Sequence, residues 1–294
     1  MGANCSPMKI WHCGRFRLQL GRKTYVMGIV NATPDSFSGD GVLADYAVAR
    51  ALQMIEDGAD ILDIGGESTR PGSQPVSLEE ELERVVPLTQ ALAARIDVPI
   101  SIDTTKAEVA RQAIEAGASI INDISGATFD EKMISTIAAT DAGLILMHLR
   151  GTPWSMKASV AEGGTPDVIA EVLQFWSLRL DSARAAGIPD ERIAFDAGFG
   201  FGKSVEENLE LLRRGRELTD FGFPTLSATS RKSTIGKVLG DLPADERVFG
   251  TAATTALAIA GGADMVRVHD VREMAQVVQV CDAALRGLQV GSDL

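Results

Sequence analysis

The sequence predicts an α/β fold of the (β/α)8 TIM-barrel type, and three observations carry that prediction. Short β-branched runs alternate with amphipathic segments, there are eight of each, and together they fill about 260 residues, the size and rhythm of such a barrel. A junction recurs along the chain: "EDGADILDI", "EAGASIINDI", "DAGLILMH" and "AGGADMVRVHD" each end a helix on glycine and start an apolar run. The glycine supplies the left-handed residue that stops the helix, and the run after it reads as a strand buried on both faces.

Strands are expected at residues 25–31, 60–66, 99–104, 119–125, 143–148, 192–198, 224–230 and 264–270. Helical periodicity occupies 44–58, 77–95, 106–117, 131–141, 166–186, 205–219, 247–261 and 271–287. A doubly wound open sheet is the other arrangement with this alternation, but no Gly-rich dinucleotide fingerprint follows the first strand. The expected organisation is an N-terminal extension over 1–24 able to form a small β-hairpin, one barrel over 25–288, and a tail over 289–294.

Composition narrows the function. With 294 residues, 45% of them hydrophobic, the chain can bury a full core. Cys5, Cys13 and Cys281 form no CxxC pair and no even framework, which excludes a disulfide scaffold and fits a reducing compartment. The opening MGANCSPMKIW holds no apolar leader, and no segment reaches the roughly eighteen apolar residues of a membrane span, so a cytoplasmic protein is expected. A net charge of −12 argues against broad affinity for nucleic acid or anionic membranes. A small anion can still be held by a local cluster of Arg, Lys and backbone N–H groups.

In a barrel the catalytic groups project from the C-terminal strand ends. Those ends here carry Asn31, Asp63, Asp103, Asn122 with Asp123, His148, Asp196, and Arg267 with His269. Any one of them could cap a helix or fix a loop; their repetition at one end of eight strands points to a pocket. Acidic and amide groups from the third, fourth and sixth strands suit a ligand with paired N–H donors, which an ionised carboxylate accepts in parallel. Cationic groups follow the seventh strand and sit on the eighth, so the opposite wall is expected to suit an anion.

In "DMVRVHD", residues 264–270, alternation sets Met265, Arg267 and His269 on one side and Val266 and Val268 on the other. Arg267 and His269, with Ser230-Arg231-Lys232-Ser233 and the short helical turn that follows, read as a phosphate site around the last two strands. The segments "NATPDSFSGDG" and "GGESTRPG" are long for connections after early strands and read as lids. "DAGFGFGKS" is not a P-loop, because the position five before Gly202 is Ala197 rather than glycine, which argues against an ATPase. Three histidines, one of them near the N-terminus, argue against a zinc centre. Asn31 and the loop aspartates are suited instead to help hold Mg2+ on a phosphate.

These residues resemble the dihydropteroate synthase family. "NATPDSFS", "GGESTRPG", "SIDT", "INDISG", "MHLRGTPWSM", "DAGFGFGKS", "SRKS", "ERVFGTA" and "RVHDV" occur in that family's order from residue 28 to about residue 272. The resemblance implies a (β/α)8 transferase of folate biosynthesis, a homodimer and sulfonamide target. It condenses 6-hydroxymethyl-7,8-dihydropterin diphosphate with 4-aminobenzoate to give 7,8-dihydropteroate and diphosphate, with Mg2+ as cofactor. Matched motif by motif, it implies that Asp103, Asn122 and Asp196 hold the pterin, with Lys232 on the ring's acceptor side. It implies diphosphate ligands Asn31, Thr69, Arg70, Arg267 and His269, with Asn31 also on the metal. It places Phe37, Pro71 and Ser233 around the aminobenzoate, and it makes Lys232, Arg267 and His269 the catalytic groups.

The residue chemistry agrees with that assignment. Diphosphate departs more easily when Arg, His and Mg2+ neutralise its charge, and a neutral arylamine can then attack, so no side-chain nucleophile is needed. Three positions depart from the family pattern: Ser38-Gly39-Asp40-Gly41 moves the first-loop carboxylate by one, Ala197 stands where proline is usual, and Thr234 stands where phenylalanine is common. Two other functions share parts of this pattern: a non-catalytic pterin-binding paralogue, and a methyltransferase moving a methyl from methyltetrahydrofolate to a corrinoid. The Ser-Arg-Lys-Ser stretch with Arg267 and His269 counts against the methyltransferase, which has no diphosphate to hold.

Overall fold

The computed structural model describes residues 9–32, 42–67, 74–152 and 167–287. Its strands are β1 (Ile10–Cys13), β2 (Phe16–Gln19), β3 (Tyr25–Asn31), β4 (Ile61–Gly65), β5 (Ile100–Asp103), β6 (Ile120–Asp123), β7 (Gly143–Met147), β8 (Ile193–Asp196), β9 (Thr225–Ser227) and β10 (Met265–Val268). Strands β3 to β10 close into a parallel barrel in chain order, and β10 returns to β3 with Met265 opposite Tyr25 and Val268 opposite Gly28. The expected (β/α)8 barrel is the observed one.

The helices are α1 (Val42–Glu56), α2 (Leu78–Ala93), α3 (Ala107–Glu115), α4 (Met133–Ala138), α5 (Val168–Ala185), α6 (Val205–Arg213), α7 (Gly215–Thr219), α8 (Ser233–Val238), α9 (Val248–Ala260) and α10 (Val271–Arg286). Local chemistry starts several of them. Ser77 Oγ accepts the Glu80 N–H at the start of α2, and Ser204 and Glu207 form a reciprocal capping box at the start of α6. The single helix expected over 205–219 breaks at Arg214 into α6 and α7. The helical turn expected after Ser-Arg-Lys-Ser is α8.

Two apolar layers make the core, and strand alternation assigns residues between them. Met27, Ile61, Ile120, Ile145, Ala194, Leu226 and Met265 pack together inside the barrel. Their neighbours Val26, Leu62, Ile121, Leu144, Phe195, Val266 and Val268 belong to the layer under the helices. The N-terminal hairpin closes on itself with Cys13 opposite Phe16, turning through Gly14 at φ +56. Its Trp11, Cys13, Leu18 and Leu20 join the inner layer, so the hairpin stoppers the barrel at the end where the strands begin. The other end, where the strands finish, is left to polar side chains.

Candidate active site

A cavity of about 360 Å³ opens where the strands end. Into it the inner alternation carries Asn31 two residues beyond Ile29, Asp103 beyond Ser101, Asn122 beyond Ile120, Asp196 beyond Ala194, and Arg267 with His269 beyond Met265. Ser230, Lys232 and Ser233, from the turn after β9, complete the lining. Of the implied site residues, therefore, Asn31, Asp103, Asn122, Asp196, Lys232, Ser233, Arg267 and His269 meet in one place. Phe37, Thr69, Arg70 and Pro71 lie outside the described residues, as does the shifted Asp40.

The charges are not separated onto opposite walls as expected. Arg267 reaches over β3: its Nε donates to Asp63 Oδ2 at 2.5 Å and its Nη2 to Asp103 Oδ2 at 2.8 Å. Asn122 Nδ2 donates to the same Asp63 oxygen at 3.3 Å. The expectation failed because β10 closes the barrel beside β3, which puts the last strand's cation next to the carboxylates of β4 and β5. Pairing is what makes so many buried charges tolerable, since an isolated one costs several kcal/mol. Burial pushes the Asp103 carboxyl up to about 7 although Arg267 opposes the shift, and burial likewise raises Asp196 against the pull of Lys232.

Lys232 reaches the cavity because of the residue before it. Arg231 takes a left-handed backbone, φ +57, a conformation costing about 1 kcal/mol or more for a non-glycine residue. Three contacts hold it there: its guanidinium pairs with Asp270, its N–H donates to Thr251 Oγ1 at 3.1 Å, and its carbonyl accepts from Arg247 Nη1 at 2.8 Å. The turn sends Arg231 to Asp270 and Lys232 inward. There the Lys232 ammonium donates to the Phe199 carbonyl and sits 4.1 Å from the Phe201 ring centroid. Burial drives it down to about 7, with Asp196 opposing. His269 is fixed by Ser230, whose Oγ lies 3.0 Å from Nδ1 and accepts the His269 N–H at 3.1 Å.

Asp123 and His148 turn away from the cavity. Both fall on the outer alternation, with Ile121 and with Leu144 and Leu146. Asp123 Oδ1 accepts from the Ser125 N–H (2.7 Å) and hydroxyl (2.6 Å), fixing the turn after β6. His148 packs edge-on against Phe175 and meets Glu171 at 3.2 Å.

Several contributors had not been assigned a role. Asp63 had the right parity but no motif of its own. Lys203, 4% exposed, donates to the carbonyls of Gly198 (2.9 Å), His148 (3.3 Å) and Phe201 (3.4 Å), and burial brings it down to about 7. Glu67 lines the cavity and is held by Lys106 at 2.6 Å. Thr234, the departure from the family's phenylalanine, accepts from Asn208 Nδ2 at 3.1 Å. No single-residue signal marks a lysine whose partners are carbonyls, so Lys203 was legible only as part of its motif.

A family model described as pterin binding enzyme matches residues 27–269. A dihydropteroate synthase from Synechocystis is 52% identical over 275 residues, covering 93% of this chain and 94% of that one. The chain belongs to the dihydropteroate synthase family of pterin-binding enzymes. Another dihydropteroate synthase, from Escherichia coli, is 44% identical and covers 89% of this chain and 92% of its own. Among solved structures, the Burkholderia cenocepacia dihydropteroate synthase complexed with 7,8-dihydropteroate superimposes with a TM-score of 0.82 at 42% identity, over 94% of this chain and 96% of that one. The Yersinia pestis enzyme in a sulfonamide drug complex reaches 0.87 at 39% identity, over 94% and 98%. The dihydropteroate synthase family thus accounts for the barrel and for the polar ends of its strands.

Proposed function

We propose that this chain catalyses the dihydropteroate synthase reaction: the amine of 4-aminobenzoate displaces diphosphate from 6-hydroxymethyl-7,8-dihydropterin diphosphate, giving 7,8-dihydropteroate. The observation that carries the reading is the convergence of Asp103, Asn122 and Asp196 with one partly buried lysine and an Arg–His pair on one cavity, in a chain of this family. Asp196 and Asn122 suit the paired N–H donors of a flat pterin, Asp103 faces them beside Arg267, and Lys232 suits the ring's acceptor side. Arg267, His269 and Asn31 suit the diphosphate, whose departing charge they would neutralise.

In this reading the C–O bond at the pterin methylene breaks with its electron pair leaving on diphosphate. The arylamine nitrogen forms the new C–N bond and gives up a proton. Asp103 and Asp196 lie where they can stabilise positive charge spread over the ring while the bond is broken. The aminobenzoate would rest near Ser233, with Phe37 and Pro71 supplied by the two early loops, and sulfonamides would compete there.

Mg2+ fits this donor set as a substrate-held ion. Among the described residues no group of three or more His, Cys, Asp or Glu could bind a metal, while the exposed Asn31 lines the cavity and has an amide oxygen to offer. A single protein ligand plus phosphate oxygens and water is a usual arrangement for Mg2+, which would add charge neutralisation to that of Arg267 and His269. A homodimer is supported by Phe249, Leu257 and Val280, which stand exposed on the neighbouring helices α9 and α10. No described helix is long and apolar enough to cross a membrane.

The test is product formation. Purified protein given pterin diphosphate, aminobenzoate and Mg2+ should release diphosphate and 7,8-dihydropteroate in equal amounts, and a chelator should abolish turnover. Tight binding of pterin diphosphate without any product would instead identify a pterin-binding paralogue.

A further inference from the structure

Behind Lys232 lies a set of buried groups that do not line the cavity. Asn208 is 1% exposed and both halves of its amide are engaged. Its Oδ1 accepts the Gly200 N–H at 2.7 Å, while Nδ2 donates to the carbonyls of Lys203 (3.2 Å) and Ser204 (2.7 Å) and to Thr234 Oγ1 (3.1 Å). Gly200 and Thr234 are the two ends that matter. Thr234, 3% exposed, is two residues beyond Lys232 in the first turn of α8. Gly200, at φ +83, lies under the Lys232 stem so closely that a Cβ there would be 2.9 Å from Lys232 Cδ. The same loop supplies the Phe199 carbonyl and Phe201 ring that receive the ammonium.

We propose that Asn208 and Thr234 are a positioning pair for Lys232: one buried amide ties the turn carrying the lysine to the glycine loop that cradles it, and so fixes the ammonium at the cavity wall. The two hydrogens of Nδ2 have three acceptors in reach, the Lys203 and Ser204 carbonyls and Thr234 Oγ1, so the threonine contact is not needed to satisfy the amide; what it adds is the tie between the glycine loop and the turn that carries Lys232. Lys203 secures the glycine loop from the other side through its three carbonyl contacts. The kinetic part of this inference rests on the proposed contact of Lys232 with the pterin; the geometric part does not.

Thr234→Val keeps the side-chain shape and removes the acceptor, and Thr234→Ser restores it. Two quantities are read in each. Competitive acylation of the Lys232 amine across pH, followed by peptide mass spectrometry, needs no substrate. The groups facing that amine, Asp196, Asp103, Arg267 and Lys203, are the same in every variant. A lysine released from its cradle gains water, so the labelling midpoint in Thr234→Val should move up from near 7 toward the ordinary lysine value of 10.5. The KM for pterin diphosphate should rise about five- to ten-fold, the scale of one lost buried hydrogen bond, with kcat changed less. Thr234→Ser should return both, and Thr234→Ala gives the same reading should valine not be accommodated. An unshifted labelling midpoint in folded Thr234→Val, or a shift that serine does not reverse, overturns the positioning role. A shifted midpoint with unchanged KM leaves the positioning intact and refutes the pterin contact instead.

Discussion

Arg267 Nε lies 2.5 Å from Asp63 Oδ2, joining two residues 204 positions apart across the mouth of the barrel. Asp63 is fully buried and Asp103 nearly so, and the one guanidinium is the cation that both acidic side chains share away from water. Arg267 therefore has a structural duty besides any it performs on diphosphate. Its geometry is also specific: Nε and Nη2 address two different carboxylates, a division that the single ammonium of lysine cannot reproduce.

Removing that cation should be costly to stability. Arg267→Met leaves Asp63 and Asp103 facing each other, and breaking a buried pair in this way costs about 3–5 kcal/mol. Urea unfolding of Arg267→Met and of the double variant Asp63→Asn/Arg267→Met checks this. The double variant should recover part of the loss, and additive losses would show that the pair is not coupled.

Lys232→Ala and Asp196→Asn should each lower kcat/KM for pterin diphosphate by about 100-fold or more, as expected for charged groups bonded to a buried ligand. Circular dichroism should show both variants folded, because neither side chain belongs to the apolar layers. Rates like those of the unaltered protein in both would remove these residues from the site.

The pH profile of kcat/KM should be a narrow bell around neutrality. On the acid side, burial keeps the Asp103 carboxyl protonated up to about 7, so lowering the pH removes an acceptor. On the alkaline side, burial makes the Lys232 ammonium lose its proton from about 7, so raising the pH removes a donor. Activity per free enzyme and substrate reports these free-enzyme groups. A flat profile from pH 5.5 to 9 would refute the dependence on both.

His148 should make the protein sensitive to acid without touching the site. Burial lowers its pKa from 6.5 to about 4, with Glu171 opposing, so in the folded state the ring stays neutral where the unfolded chain would bind a proton. For a depressed folded pKa the stabilisation is complete above 6.5 and is lost as the pH falls toward 4, by at most about 3 kcal/mol. Chemical unfolding of His148→Phe between pH 7 and 4.5 should show a shallower decline than the unaltered protein. Equal slopes would place the acid sensitivity elsewhere.

How much of this was readable beforehand depends on the element. The eight strands and their order followed from the glycine-stopped junctions, because a buried parallel strand must be a short apolar run between amphipathic helices. For β10 even the facing was legible, since Arg267 alternates with Val266 and Val268. In β6 and β7 it was not. Ile120 and Ile121, or Leu144 and Ile145, are apolar on both sides, so nothing local says whether Asn122 or Asp123 points inward, or that His148 points outward. The splitting of the helix over 205–219 and the left-handed Arg231 were likewise settled by contacts made far along the chain.

By itself, then, the sequence determined the barrel, the end of it that holds the polar groups, and the family whose motifs those groups match. Only the tertiary structure decided which of the polar residues share a cavity and which partner each takes. The physical reason is closure: β10 lies against β3, so a cation at one end of the chain becomes the neighbour of carboxylates near the other. Pairwise electrostatics in a buried site depend on distance and desolvation, and neither is written in the spacing of residues along a strand.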